Sequence, residues 1–543
     1  MLMAVLILAS LAVLLVFCLK FEIRNYSEKF LKPFLGRYGK LKMNAPASGE
    51  SILASSRKEL QVWDIPGPYS LPLLGTKWIF FVFFKKYKMS TLHKVYADFN
   101  RKYGDIVLEV MPSGVPIVHL FDRGDLEKVL KYPSKYPFRP PTEIVITYRK
   151  SRPDRYASVG IVNEQGPTWH KLRTSLTSFI TSPRILHNFL PALNVVCDDF
   201  IDLLRDQRDP ITFEVVNFED IANLMGLEAV CTLMLGRRMG FLTRNFKQPE
   251  KIGQLAAAVK QLFISQRDSY YGFGLWKYFP TKTYRSFAKS EEIIYDVISE
   301  MVEKSLEEHN SAKSIQFDES DPAMHSVFLS ILELKDLDIR DKKSAIIDFI
   351  AAGIETLANT LLFVLSSVTA DRFVTDRILE EFREFRNVNI LHDAFTNAPY
   401  TKACIQESYR IRPTAFCLAR VLEEDMQLSG YNLKAGMVVL CQNMIACNKA
   451  ENFHQAHNFL PERWIDRDGH FTVNIESSSI VVPFGIGKRT CPGKRFVEME
   501  VVLLLAKLLL AFDIKFTQPM ETEFEFLLAP STPLHLVLED RKF

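Results

Sequence analysis

The chain has 543 residues, 48% of them apolar and 24% charged, a globular composition with ample core material that excludes a disordered or fibrous protein. Its 67 basic and 64 acidic residues leave a net charge of +3, too even a balance for a protein whose main partner is nucleic acid. Eight cysteines without a CxxC pair, scattered through apolar stretches, exclude a disulfide scaffold and read as buried thiols in a reducing compartment, Cys491 excepted.

Residues 1–19 hold a single polar side chain, Ser10, apart from Cys18. As a helix this segment spans ~28 Å, close to the ~30 Å of a bilayer's hydrocarbon core. It has no charged n-region and no small-residue cleavage site, which argues against a cleaved secretory signal. Between Lys20 and Lys42 seven basic residues face two acidic ones. That basic flank fits a mitochondrial import signal, and it equally holds an anchor's C-terminal side in the cytosol. Both readings stand: a hydrophobic anchor or a targeting segment over 1–19, followed by a basic flank and linker over 20–62. Ile65-Pro66-Gly67-Pro68 then stiffens the exit, since proline cannot continue a helix. From 63 to 543 no Gly/Ser run, Pro-rich spacer or charge block intervenes, so this stretch reads as one large domain.

Trp169 and Arg173 stand at i, i+4, so an indole N–H and a guanidinium can reach one anion from a helix. By itself the pair also suits an amphipathic surface helix. The run from Asp341 to Val368 predicts a core helix, apolar almost all round. Asp348, Glu355, Thr356 and Asn359 interrupt it close to one stripe, and a polar stripe on a buried helix is costly unless it faces water or a site. The expectation is an oxygen pocket in which Gly353 gives space, Thr356 hydrogen-bonds dioxygen and Glu355 relays protons. Glu407 and Arg410, at i, i+3 in an apolar context, are placed to pair on a helix from 402 to 412. Arg420 follows that helix, before an expected strand pair. Last comes the Gly-rich loop Phe484-Gly485-Ile486-Gly487-Lys488-Arg489-Thr490-Cys491-Pro492-Gly493, then an apolar helix to about Phe512. Glycines allow tight turns and close approach to a planar ligand. A cysteine at a helix N-terminus is placed to be a thiolate, and an axial thiolate pushes electron density onto iron.

The cysteine loop resembles the FxxGxRxCxG haem-binding loop of the cytochrome P-450 superfamily. Ala352–Thr356 resembles its (A/G)-G-x-(D/E)-T oxygen-activation motif, Glu407–Arg410 its ExxR and Trp169–Arg173 its WxxxR. The resemblance implies a mainly α fold with a smaller β region near the N-terminus and around 414–441. Haem b would lie between the central oxygen-binding helix and the cysteine-loop helix. It implies Cys491 as the axial iron ligand with Phe484 packed beside it. Arg489, Trp169 and Arg173, and Arg420 are then expected on the haem propionates, and Thr356 and Glu355 in catalysis. Glu407, Arg410 and the Arg463 of Pro461-Glu462-Arg463 would form a buried triad that holds the cysteine loop.

Lys402, Lys488, Lys494 and Arg495 leave a basic face beside the cysteine, which resembles the mitochondrial clan of the family. That clan takes electrons from a ferredoxin fed by an NADPH-dependent ferredoxin reductase. From about Trp63 onward the chain is similar to the insect ecdysteroid hydroxylases of that clan, on stretches such as Tyr136–Glu143, Arg155–Gly166 and Gln261–Tyr278. This implies an ecdysteroid substrate hydroxylated at C20 with O2, at the mitochondrial inner membrane; the endoplasmic reticulum membrane is the alternative site. The family's pocket walls map onto Ile144, Val145, Ile146, Phe263, Ile264, Phe349, Phe416, Leu527 and Leu528, with Thr142, Ser158, Asn163 and Gln266 as candidates for substrate hydroxyls. Two rivals are a microsomal-type hydroxylase of another sterol or lipophile and a non-catalytic haem carrier. Thr356 and the basic face argue against the carrier, which needs neither protons nor a reductant.

Overall fold

The computed structural model describes residues 60–542 apart from 73, 81–86, 244–249, 273, 314–326, 384–396 and 474–478. The hydrophobic segment 1–19 and nearly all of the basic flank and linker, to residue 59, lie outside the described residues. Helices dominate, and Phe218–Leu235, Glu250–Tyr271 and Lys282–Lys313 pack against Ile339–Val368, the central helix. Asp338 caps it by accepting from the Arg340 amide at 2.9 Å, satisfying one of the donors a helix start leaves free. Its apolar shell of Ile346, Ile350, Ile354, Leu357, Leu361 and Leu365 is buried, and full burial is worth ~1.5–3 kcal/mol for such a side chain. Among the described residues it is the one helix long and apolar enough to cross a membrane, yet it lies inside the protein core.

Phe218–Leu235 crosses the central helix so closely that neither partner tolerates a side chain at the contact. A Cβ on Gly226 would stand 2.6 Å from the Ile354 carbonyl oxygen, and one on Gly353 would stand 2.9 Å from Val230 Cγ2. Gly353 therefore serves helix packing, and the expectation that it opens room for oxygen is corrected. Pro399–Ile411 carries the Glu407–Arg410 pair, with Pro399 in the first turn, where its missing N–H costs nothing. Lys494–Ala511 carries the cysteine loop at its start, and the central helix packs against both.

The β content matches the expected minor region and extends it. A four-stranded sheet runs in the order Ile106–Val110, Pro116–Leu120, Val438–Cys441, Leu418–Val421, so Arg420 sits within a strand rather than before one. Phe512–Phe516 follows directly on the cysteine helix and pairs with Leu536–Asp540; Thr522–Phe524 and Leu528–Pro530 form a hairpin. These C-terminal strands were not expected. Each is three to five residues long, too short for alternation to declare itself.

Candidate haem site

The cysteine loop is folded back by its own backbone. The Cys491 amide donates to the Phe484 carbonyl at 2.8 Å, and Gly485 and Gly487 take φ of 77° and 69°, where a side chain would be strained. Lys494–Ala511 begins three residues later, so the Gly493 and Lys494 amides point at the sulfur and favour the thiolate. Arg173 and Arg139 add to this, but burial outweighs them all and holds the thiol above its ordinary value. The helix terminus thus does less than expected; a bound metal cation is what removes the proton outright. Cys491 is enclosed enough for that burial, yet its side chain remains accessible. So does Ala352, although Ala351 and Ile354 beside it are buried. A thiol and a helix face that are both enclosed and reachable fit the two sides of a flat cofactor.

Cations gather beside the sulfur. Arg489 donates to the carbonyls of Pro137 at 2.9 Å and Glu164 at 3.0 Å and to Gln165 Oε1 at 2.8 Å, with its guanidinium 3.7 Å from the centre of the buried Trp169 ring. Arg139 donates to the Arg489 carbonyl at 2.6 Å and Arg173 to the carbonyl of Thr490. Burial, then Arg139, Arg420 and Arg173, push the Arg489 guanidinium down to about 9. Burial with Arg420 and Arg173 likewise pushes Arg139 down to about 10. No carboxylate among the described residues pairs with any of the four. An uncompensated cluster of guanidinia, buried at Arg420 and Arg489 and partly buried at Arg139 and Arg173, fits a dianionic ligand, as two propionates would be. Arg139 was missed by sequence reasoning, and Trp169 does more than offer an N–H, since its ring face carries Arg489.

The expected triad is formed. Arg410 grips Glu407 through two 2.8 Å bonds, both side chains having 0% exposure, and Arg463 approaches the same carboxylate at 3.2 Å. The Trp464 indole and the Leu460 amide complete the carboxylate's shell at 2.9 and 3.0 Å. The Arg410 guanidinium also donates to the Cys447 carbonyl at 2.8 Å, and Cys447 Sγ lies 3.5 Å from the Ile480 carbonyl, upstream of the cysteine loop. Tyr409 meets Phe484 edge to face at 5.4 Å. The triad reaches the loop through these two routes.

Thr356 Oγ1 donates to the Ala352 carbonyl at 2.6 Å, a bond it can exchange for another partner. The polar stripe divides. Glu355, Thr356 and Asn359 line one cavity, whereas Asp348 is taken by Arg149 at 2.6 and 2.9 Å. Two candidate substrate contacts are likewise committed elsewhere: Ser158 Oγ donates to Asp341 at 2.7 Å, and Asn163 Oδ1 accepts from the Thr142 amide at 2.9 Å. Ile144 and Val145 pack with Trp276 and Phe287 in a satellite core. Lys488, Lys494 and Arg495 are exposed as expected, but Lys402 is half-buried, and burial holds its ammonium low.

An enclosed, reachable cysteine backed by a cationic cradle and faced by a polar break in an apolar helix is the arrangement of a haem-thiolate protein. The family model for cytochrome P450 matches residues 71–537, and the chain belongs to that family. Ecdysone 20-monooxygenase of Drosophila melanogaster is 73% identical over 491 residues, covering 90% of this chain and 91% of that protein. Two more fly relatives, probable cytochrome P450 12e1, mitochondrial, and cytochrome P450 302a1, mitochondrial, are 28% and 27% identical, over 88% and 83% of this chain and 92% and 89% of theirs. The family's cofactor is haem bound through a cysteine thiolate.

Proposed function

We propose that this chain hydroxylates ecdysone at C20 to give 20-hydroxyecdysone, using O2 and electrons from a ferredoxin served by an NADPH-dependent reductase. The observation that carries it is the 73% identity across nine-tenths of the chain to a protein of that activity. The mitochondrial names of the more distant relatives support a mitochondrial place and with it the ferredoxin; the reading puts the protein at the inner membrane. Cys491 would supply the thiolate that holds the haem iron, with Phe484 beside it. Arg139, Arg173, Arg420 and Arg489 would neutralise the haem propionates, and Trp169 braces Arg489.

Haem, when bound, supplies the reductive splitting of dioxygen and the insertion of one oxygen atom into a C–H bond. The protein supplies position and protons. Ecdysone, dioxygen, two electrons and two protons give the alcohol and water. Glu355 is the proton source in reach. Burial, then Glu525 beside it, push its carboxyl well above the ordinary range, which favours the neutral acid able to donate. The Thr356 hydroxyl, next along the helix, passes that proton to the oxygen pocket.

Haem-loaded protein with ferredoxin, reductase, NADPH and ecdysone is expected to yield 20-hydroxyecdysone by mass spectrometry. Turnover of other sterols with a microsomal flavoprotein reductase, and none of ecdysone with ferredoxin, would reverse the reading. The donor has its own test. Lys494→Glu and Arg495→Glu should slow reduction by an acidic ferredoxin at low salt, and the deficit should shrink as salt rises, because exposed charges are screened within ~8 Å at physiological ionic strength. Substrate affinity should hardly move, and equal reduction rates at low salt would remove these residues from the docking face.

A further inference from the structure

A second carboxyl group stands beside Glu355, brought there by the C-terminal hairpin. Glu355 and Glu525 are 8% and 6% exposed and line one narrow interior gap, too small to hold a water, with Thr356, Asn359, Phe263 and Leu527. In each of the two, Oε2 is buried without a hydrogen-bond partner in the protein. Neighbouring buried carboxylates are costly when both are charged, and a proton on one relieves the pair. Glu525 occupies the hairpin turn, where its amide donates to the Leu527 carbonyl at 2.8 Å and Phe526 takes a φ of 91°. On the far side, Glu525 Oε1 lies 3.5 Å from Lys260 Nζ, which is 38% exposed and also 3.5 Å from Thr532 Oγ1. Lys260, Glu525, Glu355 and Thr356 thus form a row from the surface cation to the central helix.

We propose that Glu525 is a positioning residue for proton delivery: it keeps a proton on Glu355 and connects that carboxyl to solvent at Lys260, so that protons reach Thr356 by way of the hairpin. The proposal rests on the reading of Glu355 and Thr356 as the oxygen-activation pair. Each step moves one proton from one oxygen to the next and alters no bond to carbon. Solvent replaces the proton that Glu355 gives up, and the electrons come from the ferredoxin chain. Lys260 is the cation at the mouth of the path and not itself a donor. The charged groups acting on Glu355 are Glu525 from the hairpin, which favours its protonated form, and Lys260 from the Glu250–Tyr271 helix, which opposes it.

The sign of each substitution follows. Glu355 must be protonated to act, so product formed per NADPH should fall on the alkaline side as it ionises. Glu525→Gln removes a like charge and should move that alkaline limb to lower pH by ~1 unit or more. Lys260→Gln removes an opposing charge and should move it the other way, by less, because Lys260 is partly in solvent. Glu525→Asp should restore most of the wild-type limb. A second readout needs no turnover: in the resting haem-loaded protein, the part of the protonated-carboxyl infrared band that is lost in Glu355→Gln should titrate in the same order across these variants, apart from the contribution of other buried acids such as Glu500. Haem content and ecdysone affinity should not change. A wild-type limb and band in Glu525→Gln overturns the proposal. If that variant does not load haem, Lys260→Gln decides, and an unmoved limb there overturns it. Thr356→Ala and Glu355→Gln separate the two readings, since a positioned proton-transfer group is worth ~10²–10⁴ in rate. Full coupling of NADPH to product in both would overturn the oxygen-activation pair and this proposal with it. Lost coupling in both, beside an unaltered Glu525→Gln, would overturn the hairpin path alone.

Discussion

Cys491→Ala is expected to abolish the red-shifted Soret band that reduced, carbon monoxide-treated thiolate haem proteins show, and with it all product. No other described cysteine is placed to substitute. Cys197, Cys231, Cys404, Cys441 and Cys447 are buried, and burial pushes the half-buried Cys417 up to about 12. Haem itself should not be wholly lost. The four guanidinia are uncompensated in the free protein, so an anionic ligand still relieves their mutual repulsion when the thiol is gone. The mutant should thus hold a weakened complement of haem without the thiolate spectrum. An unaltered spectrum in Cys491→Ala would move the ligand elsewhere. Complete loss of haem in Cys491→Ala, beside near-full haem in a mutant lacking both Arg139 and Arg489, would mean that the sulfur, not the arginines, anchors the cofactor.

What could be read in the sequence divides along chemical lines. The cysteine loop and the Glu407–Arg410 pair were legible because each is a local cluster whose residue types have few other uses together. Arg139 was not legible. It stands in a loop of aromatic and proline residues, and its meaning appears only when the fold lays it against the Arg489 carbonyl, 350 residues away. Glu525 is the same case, an acid in a short hairpin that acquires its neighbour from the central helix. Gly353 was misread because a missing side chain leaves space on both sides of an argument: the sequence says that a Cβ is absent, and only packing says that Val230 fills the place. Asp348 was read as facing a site because a polar residue in apolar surroundings needs a partner, and Ser158 and Asn163 because they map to the family's pocket walls, where a substrate's hydroxyls would need partners. The need was real, but the partners are Arg149, Asp341 and the Thr142 amide.

Glu407→Ala is expected to cost ~3–5 kcal/mol, the penalty for removing one member of a buried ion pair and stranding the other. Set against a typical total of ~5–15 kcal/mol, that is a large share of the protein's stability. The pair is not stabilising merely by being charged, since burying two ions costs desolvation that their attraction only partly returns. The loss comes from what is left behind. Without the carboxylate, Arg410 keeps its bonds to the carbonyls of Cys447, Ala456 and Asn458, but its charge has no counter-ion at 0% exposure. The Trp464 indole and the Leu460 amide lose their acceptor together. Arg463 is 14% exposed and can turn to water, so Arg463→Ala should be the milder change. The order expected in denaturant midpoint is therefore wild type, Arg463→Ala, Glu407→Ala. Haem content should fall in the same order, because the triad reaches the cysteine loop through Cys447 and Ile480 and through the contact of Tyr409 with Phe484. A Glu407→Ala protein that folds at the wild-type midpoint with full haem would show that the loop keeps its shape without the triad.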